Sequence, residues 1–169
     1  MRSALALKAV LVSVVLIVAT AGPAAAGSRS IRDARGDAAP RWDMTQVKLT
    51  NSAHIAGRAV VVNLRPGAGY FAVRFGQPGN PDDIFTASSR IRADGTLHNK
   101  LHIFGELVDH DIACNVTASW NFTADVVRVS FPRSCLQGLH GPLKMQAGLG
   151  PLPRFHSQDH SRRVRVLQG

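Results

Sequence analysis

The chain has 169 residues, with 20 Lys plus Arg against 11 Asp plus Glu, a formal charge of +9 and two cysteines. Arg outnumbers Lys 16 to 4 and a single Glu accompanies ten Asp, so the usual surface-helix formers are scarce and a helix bundle is excluded. A hydrophobic content of 45% excludes a disordered chain, and the length excludes two ordinary domains.

Residues 1–26 read as a secretory signal peptide. Arg2 and Lys8 give a positive start, Ala9 to Ala19 form an apolar run, and Gly22-Pro23 leads into Ala24-Ala25-Ala26, the small residues that a signal peptidase cuts after. Cleavage is expected near Ala26. The run is shorter than the roughly 20 residues needed to cross a bilayer, and no later segment is long and apolar enough to do so. The mature chain is therefore expected outside the cell.

Residues 27–41 are small and polar and predict an irregular arm, with one domain over 42–169. Thr45, Val47 and Leu49 alternate with polar residues and predict a strand. Ile55 to Leu64 predicts the next, with Val60, Val62 and Leu64 on one face. Tyr70, Phe71, Val73 and Phe75 predict a third, ended by the Pro- and Gly-containing stretch 77–83. Residues 84–92 and 97–104 flank Asp94-Gly95 and predict a hairpin. Leu143, Met145 and Ala147 predict another strand, and Arg163 to Val166 closes the chain as a last one. Eight or nine short strands with closely spaced turns predict an all-β antiparallel sandwich, immunoglobulin- or jelly-roll-like, with a β-barrel as the alternative.

The clearest strand signal lies between the cysteines. Val116, Ala118, Trp120 and Phe122 alternate with polar residues, and so do Val127, Val129 and Phe131. A turn at Ala124-Asp125 places Trp120 opposite Val129 and Cys114 opposite Cys135, with all apolar side chains on one face. A loop longer by two keeps the faces matched but staggers the cysteines. In an oxidising compartment the two cysteines pair as one disulfide bond.

Asp33-Ala-Arg-Gly-Asp37 before Trp42-Asp43-Met44-Thr45-Gln46-Val47, and the later run Val127 to Leu136 with its Phe-Pro-Arg-Ser-Cys, carry a resemblance. They look like a group of small secreted actinobacterial β-sandwich proteins. The opening is also similar to that of family 9 carbohydrate-binding and DOMON-type modules, from which it departs in having Met44 after Asp43. The resemblance implies a β-sandwich, with structural calcium near the opening.

Asp33, Asp37 and Asp43 are accordingly candidate calcium ligands, being hard oxygen donors on irregular backbone around a glycine; the alternative is that they cap turns. Asp109-His110-Asp111 and His156-x-x-Asp159-His160 are weaker candidates for a transition metal, since their spacing brings no three ligands together. Arg35-Gly36-Asp37 is an integrin tripeptide, read as coincidence, and Asn115 and Asn121 head glycosylation sequons. No catalytic signature is present: no Gly-x-Ser-x-Gly, no His-Glu-x-x-His and no phosphate loop.

The remaining handle is charge. Arg154, Arg162, Arg163 and Arg165 form the densest basic group and, with Trp42 and Tyr70 as aromatic platforms, are candidate ligand-binding residues for carbohydrate or an anionic wall polymer. Basic residues are not interleaved with aromatics, which disfavours nucleic acid. The function expected is a secreted, non-enzymatic binding module. Its alternatives are a protein-interaction or structural accessory domain and a small secreted hydrolase.

Overall fold

A computed structural model describes residues 27–80, 84–105, 108–152 and 159–169; the expected signal peptide lies outside them. The strands run β1 Ser28–Arg32, β2 Met44–Asn51, β3 His54–Val61, β4 Gly69–Gly76, β5 Ile84–Ile91, β6 Leu97–Phe104, β7 Asp109–Ile112, β8 Thr117–Asn121, β9 Val126–Pro132, β10 Leu143–Gly150, β11 Asp159–His160 and β12 Val164–Val166. All pairings are antiparallel. One sheet has the order β1-β2-β3-β9-β8. The other has seven strands in the order β11-β10-β4-β5-β6-β7, with β12 also on β10. The two sheets pack face to face as the expected sandwich, with more strands than eight or nine. The arm read as irregular opens on a strand, β1, because Ile31 is buried against β2 and Ser28 to Arg32 take up its free edge.

The inner faces follow the period-two rule. Val127, Val129 and Phe131 of β9 face Phe71, Val73 and Phe75 of β4, and the Phe131 and Phe75 rings stack at 5.6 Å. Gly57 on β3 lies so close to β4 that an added Cβ would sit 2.2 Å from Val73 Cγ2. The sheets meet there because that position has no side chain.

Two expectations about facing are corrected. A bulge between Met44 and Gln46 shifts the β2 register, so Met44 and Val47 both point inward and Thr45 does not. On β3 the inward residues are Ile55, Ala59 and Val61, while Val60 faces outward with Arg58.

The β8–β9 hairpin forms with the longer loop. Trp120 pairs with Val127 and Ala118 with Val129, two residues off the tight-turn register. The loop closes with Asp125 in the left-handed region at φ +53, and Asn121 Oδ1 accepts the Thr123 and Ala124 N–H groups. The staggered cysteines still join, as a Cys114–Cys135 disulfide with Cα atoms 5.8 Å apart. After Pro132 the chain tightens into a 3-10 turn, Arg133–Cys135, which draws Cys135 back along the hairpin. Closing this loop stabilises the fold by ~3 kcal/mol on the chain-entropy account. The Cys114→Ala/Cys135→Ala variant is expected to lose about that much, read as a lower urea midpoint.

Candidate functional site

The acidic cluster is assembled from both ends of the chain. Gly36 turns the arm through a left-handed conformation, φ +90, which a residue with a side chain rarely adopts. Asp33 and Asp37 thereby approach Asp159, the first residue of β11, and one carboxylate oxygen from each lies within 4.8 Å of the others. Asp43 stands beside the group: its Oδ2 accepts the Gly36 N–H at 2.7 Å, and its charge reaches Asp33 and Asp159. Of the three aspartates expected, the structure thus joins two to Asp159, with the third flanking. Asp159 does not join the histidines of its His156-x-x-Asp159-His160 spacing: His156 lies outside the described residues and His160 is exposed on the opposite side of β11.

The electrostatics of the cluster are those of a site with too much negative charge. Asp159 is 5% exposed and accepts the Met44 N–H at 2.6 Å. Its pKa is pushed up to about 6, chiefly by burial and further by the charges of Asp33, Asp37 and Asp43. Burial, then Asp37 and Asp43, also raise that of Asp33. Asp43 is 2% exposed, yet its Oδ1 has no hydrogen-bond partner among the described residues, and neither has the buried Asp33 Oδ2. Buried carboxylate oxygens are seldom left bare. Hard oxygen donors with unspent lone pairs fit calcium.

The second feature is basic. None of the five strands β1, β2, β3, β9 and β8 contains an Asp or Glu. On their outer face the register sets Lys48 opposite Arg58 and Arg58 opposite Arg128, ending on Ser119. All three cations are exposed and, among the described residues, none makes an ion pair. Like charges placed directly across a ladder repel. Beside this file runs a row of small side chains, Thr50, Ala56, Ser130 and Thr117, which with His54 and Ser52 line an open trough of about 620 Å³.

No family model matches the chain, and no curated protein is significantly similar to it.

The expected platforms are not at the surface. Trp42 is 9% exposed under Arg41, whose guanidinium lies 4.5 Å from the ring, and Tyr70 is 6% exposed. Trp120 is half-buried and donates Nε1–H to Ser89 Oγ at 3.0 Å. Of the basic candidates, Arg162, Arg163 and Arg165 are exposed and Arg154 lies outside the described residues. His102 sits between two carboxylates, with Nδ1 2.6 Å from Asp111 and Nε2 2.7 Å from Asp109. Both ring nitrogens are engaged there, so the group clasps β6 to β7 rather than offering a free base.

Proposed function

We propose that this chain is an exported binding module that docks acidic wall glycans on the outer face of its five-stranded sheet, and that a calcium ion staples its opening arm to its C-terminal strand. The observation that carries the docking reading is the file Lys48–Arg58–Arg128 on a sheet without acidic residues. Adjacent strands are ~4.8 Å apart, so the file presents closely spaced positive charges to an extended polyanion. The hydroxyls of the adjoining trough match the hydroxyl groups of a sugar chain. With Trp42, Tyr70 and Trp120 all engaged inside the fold, recognition is led by charge and hydrogen bonding rather than by ring stacking. The same lack of exposed aromatic side chains on this face sets a glycan above single-stranded nucleic acid.

Calcium would be held by Asp33, Asp37 and Asp159, with Asp43 beside them. Its charge would offset the crowding of four carboxylates, and its coordination sphere would use their bare oxygens. Its role is structural, since it joins residues more than a hundred positions apart.

The accessory-domain reading has less to support it. The large exposed apolar side chains among the described residues, Leu97, Phe104, Val108 and Leu167, are a short scatter of the kind any surface carries. The outer edge of the second sheet, β7, is Asp-His-Asp-Ile, a charged strand that resists pairing.

The docking test is retention on polygalacturonate against neutral glucan. The wild type is expected to bind the acidic glycan in a salt-sensitive way. R58Q/R128Q is expected to bind roughly tenfold more weakly, since an exposed charge contact is worth up to about 1 kcal/mol. Equal retention of variant and wild type would remove the assignment.

A further inference from the structure

A sheet edge that can pair with another chain is usually guarded by charge. Among the described edge strands, β1 carries two arginines, β7 two aspartates, β11 an aspartate and β12 an arginine. β8, Thr-Ala-Ser-Trp-Asn, carries no charge, and the uncharged stretch around it runs from Ile112 to Ala124. It has no proline and no bulge against β9. In an antiparallel ladder alternate residues turn their N–H and C=O away from a given neighbour. β8 therefore presents backbone groups outward, on a side that no described strand occupies. The edge is also held ready. Cys114, just upstream, is tied to Cys135, and Asn121 Oδ1 accepts two N–H groups of the turn that follows. Trp120 donates to Ser89 of the other sheet. A strand already ordered loses little freedom on pairing.

We infer that β8 is a self-association edge, and that two copies of this chain join through it into one ten-stranded sheet. The strand's own residues select a second copy. Laid antiparallel on itself about Ser119, β8 sets bulky Trp120 against small Ala118 twice, and Thr117 against Asn121 twice, which can hydrogen-bond across the ladder. A register shifted by two sets Trp120 on Trp120 or Ala118 on Ala118 and loses this fit of large to small. Ala118 and Trp120 are the half-buried residues of the strand, while Thr117, Ser119 and Asn121 are exposed. The pairing thus closes over partly open apolar side chains on the inner side and leaves polar ones outside. The molecule's positive charge does not oppose the contact, because none of it lies on the strands that meet.

The two-fold axis of such a pair stands perpendicular to the sheet, so both outer faces look the same way. The file Lys48–Arg58–Arg128–Ser119 then runs on, through Ser119 of the second copy, to that copy's three cations. It crosses four strands of each copy and spans about 34 Å. An extended acidic glycan would lie along both files at once. That joining rests on the glycan reading above; the dimer does not.

Sedimentation equilibrium of residues 27–169 without glycan tests the edge. The wild type is expected to dimerise. S119K sets two like charges against each other at the axis, and is expected to associate at least about tenfold more weakly with an unchanged urea midpoint. An equimolar mixture of S119K and S119E is expected to recover the association. A wild type that stays monomeric into the high micromolar range, an S119K variant that associates as well as wild type, or a mixture no tighter than S119K alone overturns the β8 dimer. For the joined file, a long oligogalacturonate, but not a fragment short enough for one file, is expected to tighten the wild-type association at least about tenfold. No tightening in a protein that is retained on polygalacturonate overturns the joined file and leaves the dimer standing. Failure of retention removes the glycan reading and the joined file together, and the measurement without glycan still decides the dimer.

Discussion

Asn51→Ala is expected to cost about 4 kcal/mol of stability. Asn51 ends β2 and is wholly buried. Its Nδ2 donates to the Gly141 and Val166 carbonyls at 3.1 Å each, and its Oδ1 accepts from the Arg133 guanidinium. Its backbone N–H donates to Gly27 O, and its backbone carbonyl accepts the Gly169 N–H at 3.0 Å. One side chain therefore ties β2 to the loop before β10, to β12 and to the turn that carries Cys135. Alanine would leave the buried Val166 carbonyl without its side-chain donor and the Arg133 guanidinium and Gly141 carbonyl each one partner poorer. Each such group costs about 1–3 kcal/mol, and a small void adds to this. Arg133 keeps the carbonyls of Leu139 and Gly141, which limits the damage. Urea unfolding measures the loss directly, and a drop below about 1 kcal/mol would mean that this knot contributes little.

Calcium is expected to raise the melting temperature of residues 27–169 by roughly 5–10 °C at concentrations a hundredfold above the dissociation constant. Ligand binding to the folded state alone gives about 2.7 kcal/mol there, and a domain of this size gains a few degrees per kcal/mol. The pH dependence has a definite sign. The Asp159 pKa, about 6, lies above that of an unfolded aspartate. The metal-free fold is therefore favoured by protonation: it is steadier at pH 5 than at pH 7 as far as this group is concerned, and loses that advantage as pH rises through 6. Calcium needs the ionised carboxylate, so its stabilising increment is expected to be large at pH 7.5 and small at pH 5. Asp159→Asn, which removes the charge but keeps an oxygen for the Met44 N–H, is expected to stabilise the metal-free protein and abolish the calcium increment. An equal increment at both pH values, or one that survives in Asp159→Asn, would exclude Asp159 as a ligand.

How much of this could be read from the residues varies with range. Two cysteines in a chain expected outside the cell have only each other as partners, and alternation between them decides which face is buried whatever the loop length. It was not enough to place Trp120 opposite Val127, since the deciding factor is Asp125 adopting a left-handed conformation that its type permits but does not demand. The inward set on β3 is not legible because Val60 and Val62 are as apolar as Ile55 and Val61; only pairing with β9 settles which set faces in. Asp33 and Asp37 are visible as neighbours, but Asp159 joins them only after the two sheets have closed. Lys48, Arg58 and Arg128 give no local signal for a related reason. They line up only once β9 is known to pair with β3, and strand order is not encoded in local pattern.

The docking face is tested by a two-dimensional amide spectrum of isotopically labelled residues 27–169 titrated with oligogalacturonate at low salt. Shifts are expected to concentrate at Lys48, Thr50, Arg58, Arg128 and Ser130 and to fade as salt is added. No shifts, or shifts confined to the seven-stranded sheet, would overturn the docking face.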